Sequence, residues 1–167
     1  MKLLVISDTH GFASAIDAAI RAESPDALIH LGDFAGDLKM SGLKSSLSAC
    51  YSVPGNCDSV FGGADAEICF EFCGVRIFAL HGHTRGMRDS VEGGVSAARE
   101  AGASVLLFGH THVPLLAPLP GLTVMNPGTA RFGHRGPATY GTLEVNGEGV
   151  FGDIRTITSE MLFTGRG

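Results

Sequence analysis

Five times in this chain a short apolar run stops abruptly at a residue able to bind a metal ion. The stretches are Val5-Ile6-Ser7-Asp8-Thr9-His10, Leu28-Ile29-His30-Leu31-Gly32-Asp33, Val53-Pro54-Gly55-Asn56-Cys57-Asp58, Phe78-Ala79-Leu80-His81-Gly82-His83 and Leu107-Phe108-Gly109-His110-Thr111-His112. Short apolar runs bounded by turn residues read as buried strands. In open α/β sheets, ligands bind beyond the carboxyl ends of the strands. One shared site, built from five strand ends, accounts for the repetition, and it restricts the fold to those in which these ends converge.

The chain has 167 residues and 44% hydrophobic content, enough for one domain with a real core. Its 24 glycines are scattered among apolar runs and read as tight turns rather than low complexity. A net charge of −5 without a basic cluster argues against stable nucleic-acid binding. A single phosphate group in a metal-lined pocket stays compatible with that charge. Cys50, Cys57, Cys69 and Cys73 form neither a disulfide framework nor a CxxC pair, so they are expected to be small buried hydrophobes in a reducing compartment. No run reaches membrane-spanning length, and the apolar start ends too soon, at Asp8, for a signal peptide. The expectation is a cytoplasmic protein without membrane attachment, with a homo-oligomer left open.

Strand and helix alternate early in the chain. Strands are expected over 2–7, 27–31 and 50–53, with a helix from Ser14 that Ser24-Pro25 stops and a weak helix over 38–47. Later, strands follow strands. Residues 67–72 and 75–80 flank Cys73-Gly74, and 138–145 and 150–158 flank Asn146-Gly147, both hairpin signals. A helix over 90–100 ends near Gly102, a strand spans 104–108, and strands at 115–117 and 122–125 flank the turn Pro118-Leu119-Pro120-Gly121. This order predicts two packed sheets with helices outside. One domain over 1–158 and a frayed tail over 159–167 complete the organisation.

Asp8 and His10 are two residues apart, as are His110 and His112, so in extended backbone each pair can share one side. Asp33, Asn56 and His81 add oxygen and nitrogen donors. Seven mixed donors exceed one tetrahedral zinc site and suit two divalent ions sharing a carboxylate. Manganese comes first, with zinc, iron and nickel also suited to nitrogen and oxygen donors. Two such ions exceed the charge of Asp8 and Asp33, so the site would attract an anion. Paired ions suit in-line phosphoryl displacement, with a water that loses its proton near neutral pH as nucleophile.

Together, Asp8-Thr9-His10-Gly11, Gly32-Asp33, Gly55-Asn56-Cys57-Asp58, His81-Gly82-His83 and Gly109-His110-Thr111-His112 resemble the motifs of the calcineurin-like metallophosphoesterase superfamily. Their order and spacing look most like its small single-domain bacterial and archaeal phosphodiesterase branch. The resemblance implies a four-layer α/β/β/α sandwich. It implies one metal held by Asp8, His10, Asp33 and His112, and a second held by Asp33, Asn56, His81 and His110, with Asp33 bridging. Asn126-Pro127-Gly128-Thr129 also resembles a family motif and is read as a turn supporting the metal loops. Many larger members carry His directly after the metal-binding Asn, where this chain has Cys57. How the leaving oxygen gains its proton is therefore the open chemical question. His83, two residues beyond His81, is the candidate for touching the phosphate or assisting the leaving group.

Asp33, Asn56 and His83 are accordingly the catalytic candidates, and His83, Asn56 and Arg131 the substrate-binding ones. Arg85 and Arg88 are further cations whose default is a solvated side chain. Asp58 is expected to cap a turn or orient a ligand, Thr9 and Thr111 to bond loop backbone, His30 to be a hydrogen-bonded core histidine, and His134 to lie on the surface. The leading function is a dinuclear metal-dependent phosphodiesterase acting on a small phosphoester. The competing one is a non-catalytic protein-binding scaffold of the same fold, as in the retromer subunit. That subunit departs from the full ligand set, and this chain keeps all seven candidates.

Overall fold

A computed structural model describes residues 1–58, 66–133 and 136–163. Its strands form two mixed sheets of five. In the first, β1 (Lys2–Ile6) is central and runs parallel to β2 (Ala27–His30), which pairs with β3 (Ala49–Ser52). In the second, β4 (Glu67–Phe72) pairs antiparallel with β5 (Val75–Leu80), and β6 (Val105–Phe108) lies parallel to β5. The edge strand β7 (Leu115–Leu119) joins that sheet through β8 (Leu122–Asn126), which is parallel to β6. The first sheet is completed by β9 (Thr139–Asn146), antiparallel to β1, and by β10 (Gly149–Thr156) at its edge.

The apolar runs carry two alternating faces, and both are covered. Leu3 and Val5 of β1, Ala27 and Ile29 of β2, Ile77 and Ala79 of β5, and Val105 and Leu107 of β6 meet between the sheets. Leu4, Ile6 and Leu28 face the opposite way, onto α1 (Ala13–Glu23). Phe78, Leu80, Leu106 and Phe108 pack in the cluster that includes Ala97 and Ala98 of α2 (Glu92–Glu100). The result is the expected α/β/β/α sandwich. Parallel strands covered on both faces read as continuous apolar runs, which is why these strands were visible in the sequence.

Local chemistry sets the boundaries. Ser24 adopts a left-handed conformation and its N–H caps α1 at Ile20. Cys73 (φ 53°) and Gly74 (φ 78°) form the two-residue β4–β5 turn, whose geometry demands positive φ at both centres. Pro118 lies within β7 rather than in a turn, and an edge strand tolerates its missing N–H. The expected helix over 38–47 is instead two short 3₁₀ turns, Ala35–Lys39 and Lys44–Ser46, fastened to α1 by Asp17, which accepts from the Ser41 hydroxyl (2.5 Å). Residues 159–163, expected as part of a frayed tail, form α3 (Ser159–Phe163), with Met161 and Leu162 packed on the α1 cluster. The remainder of that tail, 164–167, and His134 lie outside the described residues.

The cysteines depart from expectation. All four are free thiols, but Cys57, Cys69 and Cys73 are exposed. Cys69 sits on the face of edge strand β4 opposite Ile68 and Phe70, and α2 covers β5 and β6 rather than that face. Among the described residues no helix is long and apolar enough to cross a membrane.

Candidate metal centre

The carboxyl ends of β1, β2, β3, β5 and β6 open on one cleft, and the loops beyond them adopt rare backbone conformations. Asp8 (φ 54°), His10 (φ 46°), Asp33 (φ 54°), His110 (φ 67°) and His112 (φ 60°) are all left-handed. Non-glycine residues seldom adopt this region, though Asp and His do so more readily than most. The turns are supported by close backbone packing. A Cβ on Gly32 would come within 2.6 Å of Gly55 N and 2.7 Å of His81 Nδ1, and one on Gly109 would strike the Ser7 and Asp8 side chains.

Asp8, His10, Asp33 and His112 each offer one donor atom, all within 4.8 Å of one another. His10 Nε2 lies 3.4 Å from His112 Nε2, and His112 Nε2 lies 3.0 Å from Asp8 Oδ1. Asp8 Oδ1 is nevertheless buried with no hydrogen-bond donor aligned on it. Its other oxygen, Oδ2, accepts from the Ser7 hydroxyl and from the His110 N–H (3.2 Å).

Asp33 connects this group to a second one. Its Oδ2 is 3.7 Å from His10 Nε2, and its Oδ1 is 3.4 Å from His81 Nε2 and accepts the Cys57 N–H (2.8 Å). His81 Nδ1 donates to the Leu31 carbonyl (2.7 Å), which in the neutral ring leaves the lone pair on Nε2. Nε2 lies 3.2 Å from Asn56 Oδ1 as well as beside Asp33. Imidazole, carboxylate and amide groups thus converge, an arrangement that a cation stabilises. Asp8, His10, Asp33 and His112 fit a divalent ion on this ground. The His110 ring lies beside that of His81, with centroids 5.1 Å apart.

Electrostatics follow the same geometry. Burial works to raise the Asp8 carboxyl, but His112, His81 and Ser7 bring it below the ordinary aspartate value. Asp8 raises His112 in turn. Burial lowers His10 against the pull of Asp33 and Asp8, and burial together with His81 lowers His110 and His83. Burial and the Asp33 carboxylate push the Cys57 thiol up to about 11, so it stays protonated at neutral pH.

Of the other candidates, Asp58 caps turns as expected, accepting from the N–H groups of Ala35 (2.9 Å) and Gly55 (2.8 Å). Asn126 supports the His110 loop, donating to the Gly109 carbonyl (2.7 Å) and the Thr111 hydroxyl (3.0 Å), and Thr129 donates to the Asp8 carbonyl (2.9 Å). His83 is exposed, its ring centroid 5.4 Å from that of His81. Arg131 is exposed and close enough for its charge to lower His10. Arg85 is turned elsewhere, held at both nitrogens by Glu67 (2.6 and 2.8 Å). Arg88 lines the cleft, a cavity of about 770 Å³.

Two residues were missed in the sequence. Asp37 accepts from the Thr9 hydroxyl (2.7 Å) and the Gly11 N–H (2.8 Å). Thr9 thus bonds side chains, not only loop backbone. His30 completes the chain: Gly32 N–H donates to its Nδ1 (3.2 Å), which places the ring proton on Nε2, 3.0 Å from the Thr9 hydroxyl. Ser7 was the other, and its only sequence signal was its place just before Asp8. Asp37 offered only an acidic side chain in the loop after Asp33.

The strand ends of this sandwich thus gather imidazole and carboxylate donors on one cleft. The profile of the calcineurin-like phosphoesterase superfamily domain matches residues 1–148, and the chain belongs to that superfamily. It is 32% identical over 131 residues to a probable metallophosphoesterase of Mycoplasma pneumoniae, covering 77% of this chain and 78% of that one. A probable metallophosphoesterase of Bacillus subtilis is 30% identical over 131 residues, covering 78% and 76%. Among solved structures, a predicted phosphoesterase of Streptococcus pneumoniae matches with a TM-score of 0.75 at 22% identity, over 93% of this chain and 88% of that one. An archaeal phosphodiesterase matches at 0.72 and 24% over 93% and 100%. The zinc complex of Vps29 from Entamoeba histolytica matches at 0.71 and 18% over 93% and 99%. These three structures share the fold.

Proposed function

We propose that this chain is a dinuclear metal-dependent phosphodiesterase. One observation carries the reading: the two oxygens of Asp33 face two different imidazoles, Oδ2 toward His10 (3.7 Å) and Oδ1 toward His81 (3.4 Å). A carboxylate shared by two ions requires this placement. Asp8, His10, Asp33 and His112 would hold one ion, and Asp33, Asn56, His81 and His110 the other. When bound, the ions supply Lewis acidity at a phosphoryl oxygen and a nucleophile at neutral pH.

The chain's own residues do the rest. Leu31 fixes the His81 tautomer, and Asn126 and Thr129 hold the loops that carry His110 and Asp8. Arg131 presents a cation to the substrate anion. His83, exposed beside His81 and His110, hydrogen-bonds the phosphoryl group or the departing oxygen. The catalytic unit spans residues 1–158, and its location is the cytoplasm. Manganese is the first ion to test, followed by zinc, iron and nickel.

The neighbouring Vps29 fold gives a second reading, a protein-binding scaffold. Exposed Phe12 and Phe34 near His10 favour it. Metal binding alone does not separate the two, because the Entamoeba Vps29 structure is itself a zinc complex. Hydrolysis of bis(p-nitrophenyl) phosphate does. Manganese-dependent turnover with two ions per chain, falling to one or none with near-complete loss of activity in Asp33→Asn, supports the enzyme. No turnover with any of the four metals, together with tight binding of a protein partner, supports the scaffold.

A further inference from the structure

The geometry points to a second subsite beside the metal centre, one that takes an apolar, planar ester group of a monoanionic phosphodiester. This inference rests on the phosphodiesterase reading and names the kind of diester that the same cleft would select.

The metal cleft, about 770 Å³, does not end at its ligands. A second cavity of about 580 Å³ adjoins it, and Arg88, Asp89, Thr111 and Val113 line both. The two therefore adjoin across these four residues and differ in chemistry. The first end is imidazole, carboxylate and amide. The second has Met87, Phe108 and Leu115 among its lining, with Val91, Pro114 and the polar Ser90 and Glu92 beside them. Its volume falls within the range of small-molecule sites.

The shared wall is fixed by the loop that carries two candidate ligands. Val113 follows His112 directly, and its N–H donates to the Thr111 hydroxyl (3.2 Å). The Asn126 amide donates to the same hydroxyl (3.0 Å), so the turn that aims His110 and His112 also sets Val113 between the two ends. A phosphoryl group at the metals would place one ester arm across Val113 and over Leu115.

Charge at the junction narrows the substrate further. Arg88 and Asp89 stand where the ends meet, and among the described residues neither has an ion-pair partner within 4.0 Å. Arg88 can meet one non-bridging oxygen. Asp89 repels a second negative charge, so a phosphomonoester dianion is disfavoured against a diester whose remaining arm is neutral. A neutral, apolar group able to lie against this open, largely apolar surface describes an aryl ring or a nucleobase.

The test uses the full chain loaded with manganese and three p-nitrophenyl phosphodiesters. Their second ester group is methyl, phenyl or 5′-thymidyl, and the leaving group is constant, so intrinsic reactivity stays close. Burial of a ring predicts a KM for the phenyl ester about tenfold below that for the methyl ester. The thymidyl ester distinguishes a nucleobase pocket from a plain aryl one. Leu115→Lys and Ser90→Trp should each abolish the phenyl advantage and leave methyl-ester turnover unchanged. A second readout needs no turnover: diphenyl phosphate, but not dimethyl phosphate, should shift the NMR signals of the Leu115 and Val91 methyl groups. Equal KM for methyl and phenyl esters, or an advantage unchanged in both variants, overturns the subsite. No turnover of any ester with manganese, zinc, iron or nickel overturns the phosphodiesterase reading itself.

Discussion

Gly55 lies against Asp33 with no room for a methyl group between them: a Cβ there would collide with Asp33 Oδ1 and with the Asp33 backbone. The residue before Asn56 is therefore a gauge for the position of the carboxylate expected to bridge two ions. Gly55→Ala should displace Asp33 at an overpacking cost of about 1–3 kcal/mol. Calorimetric titration with manganese should show weakened binding at one site or both, and turnover should fall at least about 100-fold, as for a misplaced reacting group. Unchanged affinity and turnover would contradict the proposed bridge.

His83 gives a prediction about the departing group. Cys57 holds its proton near neutral pH but sits against Asp33, so His83 is the freer side chain at the cleft. His83→Ala should lower kcat by about 10²–10⁴-fold for esters with poor leaving groups. For p-nitrophenyl esters, whose oxyanion needs little assistance, the loss should be much smaller. Equal loss across the leaving-group series would indicate that His83 binds the phosphoryl group instead, and no loss would remove it from the site.

His30 gives the clearest pH prediction. Burial lowers its pKa from 6.5 to about 4, so the folded state keeps it neutral. Between these values the unfolded chain takes up a proton that the folded chain does not, and stability rises with pH. The contribution is complete above pH 6.5 and is lost as pH falls to about 4. It amounts to about 3 kcal/mol. Urea unfolding of the metal-free protein should show this slope, and His30→Gln should flatten it. Parallel curves for the two proteins would exclude His30 as its source.

Glu23 titrates at lower pH with the same sign. Its buried carboxylate accepts from Tyr140 (2.7 Å), Lys2 (3.1 Å) and Arg155 (2.8 Å). Burial opposes ionisation, but these partners bring the pKa below 4.5. The stabilisation is present above pH 4.5 and lost as pH falls through the lowered value. Glu23→Gln should cost about 1–3 kcal/mol at neutral pH. The difference from wild type should shrink in acid, and a difference constant down to pH 3 would contradict the account.

The sequence was most informative where chemistry is local. The runs around Leu4, Ile29, Ala79 and Leu107 announced strands buried on both faces, and the glycines after or between them announced turns. It was least informative where partners are distant. Nothing near Met161 or Leu162 indicates a helix, because their support is the α1 face more than 100 residues away. Sheet order was similarly hidden: β8 lies between β6 and β7, and β9 lies beside β1, through pairings between remote segments. In the site, the metal-capable residue types were visible in the sequence. The support was not, since Asp37 acquires its place through Thr9 and Gly11, and Thr9 joins it to His30.

Five of the seven candidate ligands sit in left-handed backbone that glycine packing and remote hydrogen bonds already enforce. The chain's own packing and hydrogen bonds hold these turns. On the proposed function, a chelator should silence turnover, and the fold should outlast the ion because its support comes from the chain itself. The ion it carries at any moment would record the surrounding metal pool, not the conditions under which the chain first folded.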